Sequence, residues 1–312
     1  MKKTDCLLTH LPSMQVAVRP DSPALAGQDD NDRWYDIIWR SFADDVKRAA
    51  AALIALGVKP GGCVATFSAN RPECLVTDFG CYASRAVSVS IYATSSQEQV
   101  EYIVNDCSAS VLVAGNRTQY EIGRRAMKNC PSLRQLVVIK SIELEEGDTS
   151  TLLWNDFLAL GKEEFFAEVD SRTAGAVPTD IATLVYTSGT TGEPKGAILT
   201  HANYDQALWI HSERLTMLTP ADSSMAFLPL SHIFEKGFTY VCMMIGIKVS
   251  VNRDPRSIQD TIKQVRPTLM CAVPRFWEKV YAGVHEKIAE VGFLQRQMVK
   301  RAVKAGRRSN LH

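Results

Sequence analysis

The sequence has no Cys-x-x-Cys pair, no internal repeat and no low-complexity tract. Its eight cysteines are scattered at positions 6, 63, 74, 81, 107, 130, 242 and 271, which excludes a zinc ribbon and a disulfide framework. They read as reduced, mostly buried thiols of a cytosolic chain. Charge of one sign is also lacking. With 35 Lys and Arg against 34 Asp and Glu, the net charge of +1 argues against a general nucleic-acid binder. The longest apolar stretch, residues 238–251, is interrupted by Lys248 and is too short to span a bilayer. The N-terminus has two lysines but no sustained apolar segment of a signal peptide. What is present is a 312-residue chain, 46% hydrophobic, with material for sizeable cores and, by length, roughly two domains.

Short β-branched runs alternate with amphipathic stretches along most of the chain. Strands are expected at residues 63–67, 87–91, 110–114, 135–139, 181–186, 224–228, 248–251 and 269–273. Helices are expected to start near Ser41 (with Asp44 closing a cap), Pro72, Ser96, Glu121, His201, Phe238 and Ser257. Such alternation predicts a parallel α/β fold. Between residues 140 and 180 the pattern fades into charge and glycine, and a surface connection with one helix near 152–160 is expected. At the C-terminal end, Val280, Val284, Ile288 and Val291 share one helical face and read as ordinary core packing. Trp277 reads as a structural side chain, with acyl-pocket lining as the alternative, and residues 295–308 as a basic, solvated helix that could otherwise touch an anionic membrane.

Residues 186–196 read Tyr-Thr-Ser-Gly-Thr-Thr-Gly-Glu-Pro-Lys-Gly, directly after an apolar strand. Gly189 and Gly192 allow tight turns and bare N–H groups. Thr187, Ser188, Thr190 and Thr191 supply hydroxyls, and Lys195 a compact positive charge before Gly196. Polyphosphate requires such a set. The spacing departs from the Walker pattern, in which Lys-Ser/Thr opens a helix; here residues 197–200 read as a second strand. Further on, His232 lies in a Pro-Leu-Ser-His-Ile-Phe-Glu loop, where loop residues tend to carry function. Glu235 is placed to cap the following helix and assist His232.

Residues 187–196 closely resemble the signature loop of the adenylate-forming superfamily, which includes acyl-CoA synthetases, luciferases and peptide-synthetase adenylation domains. Phe-Leu-Pro-Leu-Ser-His-Ile-Phe-Glu at 227–235 resembles the histidine motif of those enzymes. Val-Pro-Arg-Phe-Trp-Glu-Lys-Val-Tyr at 273–281 is similar to a stretch of the long-chain fatty acid branch. The likeness runs from about residue 34 to 281. It implies two stacked, mostly parallel sheets with helices, as in an incomplete acyl-CoA synthetase N-terminal domain. One subdomain at 64–205 would carry the phosphate loop, and 1–63 with 216–312 would form the other.

The resemblance further implies ATP-dependent activation of a long-chain fatty acid, through acyl-adenylate, to acyl-CoA. ATP, Mg²⁺ and coenzyme A would be used. Lys195 and His232 are the catalytic candidates, and Thr187, Ser188, Gly189, Thr190, Thr191, Gly192, Lys195 and Gly196 the nucleotide-binding ones. Thr187 is also the candidate magnesium ligand. The superfamily's adenine, ribose and C-terminal lysine segments find no match, so the chain reads as an N-terminal fragment that folds without turning over. Adenylation of an aromatic or shorter acid, and a non-catalytic nucleotide- or acyl-binding module, remain open alternatives. Peripheral membrane contact and a homodimer remain open too.

Overall fold

The computed structural model describes residues 7–29, 31–187, 193–290 and 292–309. They fall into two units, the first ending at Met270 and the second beginning at Cys271. The first unit opens with α1 (Leu11–Val18), the strands β1 (Pro23–Gln28) and β2 (Trp34–Ile38), and the long helix α2 (Trp39–Ala55). Then come β3 (Cys63–Phe67), α3 (Pro72–Ala83), β4 (Val87–Ile91), α4 (Gln97–Asp106), β5 (Val111–Ala114), α5 (Arg117–Ala126) and β6 (Gln135–Val138). A short β7 (Thr151–Leu153) leads into α6 (Trp154–Leu160) and α7 (Phe166–Ala174). The hairpin of β8 (Ile181–Thr187) and β9 (Lys195–Thr200) precedes α8 (His201–Arg214). β10 (Ser223–Ala226), α9 (Ile233–Ile245), β11 (Lys248–Val251) and α10 (Ile258–Val265) complete the unit. The second unit holds α11 (Pro274–Glu290) and α12 (Phe293–Ser309).

The strands form a seven-stranded sheet, β7-β6-β5-β3-β4-β8-β9, and a four-stranded sheet, β10-β11-β1-β2. All pairings are parallel except β1 with β2 and β8 with β9. This is the expected mostly parallel α/β architecture. Alternation along the strands assigns the two faces of the larger sheet. Val64, Val111, Val113 and Val137 enter a core shared with α2, α3, α9 and the smaller sheet. Ala65, Phe67, Leu112, Ala114, Leu136 and Val138 enter a second core with α4 and α5. Helix α3 is buried at 11 of its positions, from Pro72 to Ala83, as expected of a helix packed on every side.

Several local expectations change. α2 starts at Trp39 after Ile38 with no side-chain cap, so Ser41 and Asp44 lie inside the helix. By contrast, Ser96 caps α4 with a complete capping box through Gln99. The connection at 140–180 contains β7 and α7 as well as α6; α7 buries only Val169, which explains its faint pattern. The strand expected at 269–273 reduces to a single bridge between Ser224 and Leu269, because Pro267 and Pro274 frame the run and cannot donate to a ladder. In the second unit the stripe on α11 is not core: Val280 is 40% and Val284 50% exposed, and Trp277, read as packed, is 56% exposed. Val291 lies outside the described residues. No disulfide forms among the described residues, and Cys74, Cys81, Cys130 and Cys242 are buried thiols. No described helix is long and apolar enough to cross a membrane.

Candidate active site

The β8–β9 hairpin carries the phosphate-loop candidates. Its register pairs Thr187 with Lys195 and Tyr186 with Gly196, so the two ends of the loop stand opposite each other. Thr187 and Lys195 are exposed at that mouth. Ser188, Gly189, Thr190, Thr191 and Gly192 lie outside the described residues. Gly196 serves a cross-strand contact: a Cβ there would meet the Tyr186 ring at 3.1 Å. That ring is buried, and its hydroxyl donates to Asp106 Oδ2 at 2.6 Å, fastening β8 to the end of α4.

His232 is the N-cap of α9, its Nδ1 accepting the Phe234 N–H at 3.2 Å. That bond leaves Nε2 as the donor position of the exposed ring. Two buried side chains set the preceding loop. Asn70 donates from Nδ2 to the Leu228 carbonyl at 2.7 Å and accepts the Leu230 N–H at Oδ1 at 2.8 Å. Glu235 Oε2 accepts the Leu228 N–H at 3.0 Å. Glu235 therefore does not cap α9; His232 does, and Glu235 reaches back to hold the loop.

Three recesses open along this loop; His232 lines the first, Ile233 and Phe234 the second, and Pro229 and Ser231 the third. The first, of about 410 Å³, brings His232 together with Thr187, Pro194 and Tyr186, and with Tyr92, Thr94 and Ser95 from the loop after β4. Lys195 is not part of its wall. The 92–95 hydroxyls had escaped the sequence reading, although Ile-Tyr-Ala-Thr-Ser-Ser repeats the pattern of a strand emptying into hydroxyls. The second, of about 340 Å³, lies between α8 and α9 and is lined by Leu199, Tyr204, Ala207, Leu208, Ile233, Phe234, Gly237, Phe238 and Val241, with Asn203 and His211 as its polar members. The third, of about 530 Å³, is lined by Asn70, Arg71, Asn116, Lys140, Arg253 and Arg256 among others. It opens beyond the carboxyl ends of β3 and β5. The chain leaves β3 toward β4 on one side and returns to β5 on the other, so this is a topological switch point, where open α/β sheets bind ligands.

A buried polar cluster lies beneath these recesses. Lys236 Nζ meets Asp78 Oδ2 at 2.7 Å with the two side chains 1% and 3% exposed. Tyr240 donates to the same oxygen at 3.0 Å, and Ser88 donates to the other. The Tyr82 hydroxyl bonds that of Tyr240 at 2.9 Å and that of Thr183 on β8 at 3.0 Å. The cluster thus ties α9, one turn beyond His232, to α3 and β8. His201, read as a helix-start residue, does open α8 and is buried, its ring edge-on to Tyr82. Burial pushes its pKa down to about 4. The unfolded chain binds that proton at higher pH, so the stability owed to neutral His201 is whole above about pH 6.5. It should fall by about 3 kcal/mol as pH drops to 4. Urea unfolding of the protein and of its His201→Asn variant at both pH values checks this; an equal pH dependence in the two would refute it.

The family described as AMP-binding enzyme matches residues 13–307. The chain belongs to it. Among curated relatives, the long-chain-fatty-acid–CoA ligase FadD15 of Mycobacterium bovis is 33% identical over 260 residues, covering 83% of this chain and 42% of that protein. The long-chain-fatty-acid–CoA ligase ACSBG2 of Xenopus laevis is 28% identical, covering 93% of this chain and 40% of that protein. The chain thus spans about two fifths of the length of these relatives. Among solved structures, an anthranilate CoA ligase, AuaEII, in complex with anthranoyl-AMP superposes with a TM-score of 0.74 at 24% identity, covering 86% of this chain and 51% of that one. A long-chain-fatty-acid–CoA ligase from Archaeoglobus fulgidus gives 0.70 at 19% identity over 86% of this chain and 51% of that one. The architecture of this AMP-binding chain is therefore that of CoA-ligase folds.

Proposed function

We propose that this chain carries the phosphate- and acid-binding core of a ligase that activates a long-chain fatty acid with ATP and transfers it to coenzyme A. One observation carries the reading: His232 stands between a hydroxyl-lined recess reaching Thr187 and an apolar cavity starting at Ile233 and Phe234. A carboxylic acid with an apolar tail needs this pair of environments. Its tail would lie between α8 and α9 and its carboxylate beside His232 Nε2–H. A carboxylate oxygen attacks the α-phosphorus of ATP and pyrophosphate leaves with the bonding electrons. The coenzyme A thiol then attacks the acyl carbonyl, loses its proton and expels AMP. Transfers of this kind are governed by positioning and by neutralising charge on the phosphates, the role of Lys195 and the loop hydroxyls. Arg71 and Lys140, with Arg253 paired to Asp32 and Arg256 to Asp254, leave the third recess suited to a second phosphorylated ligand, and coenzyme A is one.

Mg²⁺ would accompany the nucleotide. Thr187 offers it one neutral oxygen, and no metal-holding group of three or more His, Cys, Asp or Glu occurs among the described residues. Phosphate oxygens and water would supply the remaining ligands of a hard cation. We read the seven-stranded sheet as the subdomain carrying the loop and the four-stranded sheet as its partner. The modest size of the apolar cavity, at the lower end of the roughly 300–1,000 Å³ usual for ligands, favours a shorter or aromatic acid as a second reading.

The test is a panel of acids with the whole protein, ATP, Mg²⁺ and coenzyme A. AMP, pyrophosphate and an acyl thioester should form in equal amounts, fastest with long alkyl acids; ADP as the product would refute adenylation. His232→Ala should slow pyrophosphate exchange about ten- to hundredfold, the worth of one hydrogen bond to a charged group. Its helix cap should cost about 1 kcal/mol of stability. An unchanged exchange rate would remove His232 from the site.

A further inference from the structure

Among the described cysteines, Cys74, Cys81, Cys130, Cys242 and Cys271 are buried. Burial pushes the Cys74 and Cys242 thiols up to about 12, so they stay protonated and inert. Cys63 and Cys107 are the half-buried ones, and their side chains share a hydrogen bond. Cys63 opens β3, and Cys107 follows the last residue of α4. Ser108, in the left-handed region at φ 51°, then turns the chain back, and the Ser110 N–H donates to the Cys63 carbonyl at 3.1 Å. The turn between α4 and β5 thus carries one thiol onto the other.

The pair is asymmetric. Cys107 Sγ lies 3.8 Å from the Val104 carbonyl, a long contact that leaves its proton able to turn to a Cys63 thiolate. Contact with Cys107 holds the Cys63 pKa below the ordinary thiol value, against the effect of burial. The same contact pushes Cys107 up, and burial adds to it. Cys63 is therefore the attacking sulfur and Cys107 the resolving one. The pair also borders the candidate active site. Asp106, next to Cys107, accepts the Tyr186 hydroxyl, and Tyr186 immediately precedes Thr187. Burial pushes the pKa of that hydroxyl up, as do the bond to Asp106 and charge on Cys107 and Cys63, so both sulfurs lie close to it.

We propose that Cys63 and Cys107 form an oxidisable dithiol, closed by a peroxide into a disulfide that moves the end of α4 and slows the site fastened to it. The effect on rate rests on the acyl-ligase reading given above; the disulfide does not. The Cys63 thiolate attacks one peroxide oxygen and the O–O bond breaks. The departing hydroxide takes up the proton that Cys63 lost, leaving water and a Cys63 sulfenic acid. The Cys107 sulfur then attacks the Cys63 sulfur, the S–S bond forms and the S–O bond breaks, and the hydroxyl leaves as water with the Cys107 proton. Two electrons pass from the thiols to the peroxide, and a dithiol reductant returns them. Hydrogen-bonded sulfurs stand farther apart than the roughly 2.05 Å of a disulfide. Closure therefore draws Cys107 toward β3, and its neighbour Asp106 away from Tyr186.

The whole protein is treated with hydrogen peroxide, digested without reduction and mapped by mass spectrometry, with pyrophosphate exchange followed in parallel. A peptide pair joined through Cys63 and Cys107 should appear, two hydrogens lighter than the free peptides, and vanish with dithiothreitol. Exchange should fall about tenfold and recover on reduction, within the range by which small displacements slow a positioned reaction. In Cys107→Ser, dimedone should label Cys63 as the trapped sulfenic acid, and no linked pair should form. If that variant fails to fold, Cys63→Ser replaces it and should show neither the linked pair nor the reversible slowing. Oxidation of other cysteines while Cys63 and Cys107 stay free overturns the proposal. A linked pair with exchange within twofold of the reduced rate overturns the coupling to the site. A reduced protein without exchange overturns the acyl-ligase reading instead, and the peptide map still decides the disulfide.

Discussion

Replacing Lys195 by alanine in the whole protein is expected to slow acyl-adenylate formation by about a hundred- to a thousandfold, the usual cost of removing one preorganised charge-stabilising donor. Lys195 is the only cation between residues 186 and 196. Its backbone is fixed opposite Thr187 by the β8–β9 register, and β8 is in turn fastened through Tyr186 to Asp106. The side chain is exposed, so its loss leaves no buried charge and the melting transition should hardly move. Acid binding should also change little, because the apolar cavity does not include Lys195. Charge builds on the departing pyrophosphate mainly in the transition state, so kcat should fall more than the affinity for ATP. Pyrophosphate exchange at the unmutated rate would remove Lys195 from catalysis. An equal loss of acid affinity would show that it organises the whole site instead.

The parts of the fold that were legible are those where one local rule dominated. β3, β4 and β11 match their expected bounds because they are short runs of mostly β-branched or small apolar residues buried within sheets. β1 escaped notice because Pro-Ala-Leu-Ala-Gly-Gln has no β-branched residue; it is a strand only because β2 and β11 flank it. The exposed stripe on α11 shows the converse: periodicity announces an amphipathic helix but not the surface that covers it. In the site, the motif residues Thr187 and His232 do meet at one recess. The residues that hold them were not legible, since Asn70 gives no sign in sequence that it clamps a loop about 160 positions away. Asp78 and Lys236 did leave a trace, as charges of opposite sign within mostly apolar helical stretches that also hold Glu73 and Glu235.

That pair should give the largest stability effect in the protein. Lys236→Met is expected to destabilise the fold by about 3–5 kcal/mol, because it leaves the Asp78 carboxylate buried and without its counter-charge. Tyr240 and Ser88 would still donate to it, but hydroxyl dipoles replace a full positive charge poorly. Replacing both members, as Asp78→Leu with Lys236→Met, should recover much of the loss, since burying two charges is itself costly. A double-mutant cycle in urea would then give a coupling of more than about 1 kcal/mol, as expected for directly touching residues. The restored double variant also separates stability from function. Lys236 lies one turn beyond His232 on α9, and the pair locks that helix against α3. If directional hydrogen bonds rather than mere packing set the helix, the double variant should be stable and yet exchange pyrophosphate more slowly than wild type. A Lys236→Met protein within 1 kcal/mol of wild type would show that the buried charges contribute little. Full activity in the stable double variant would show that packing alone places His232.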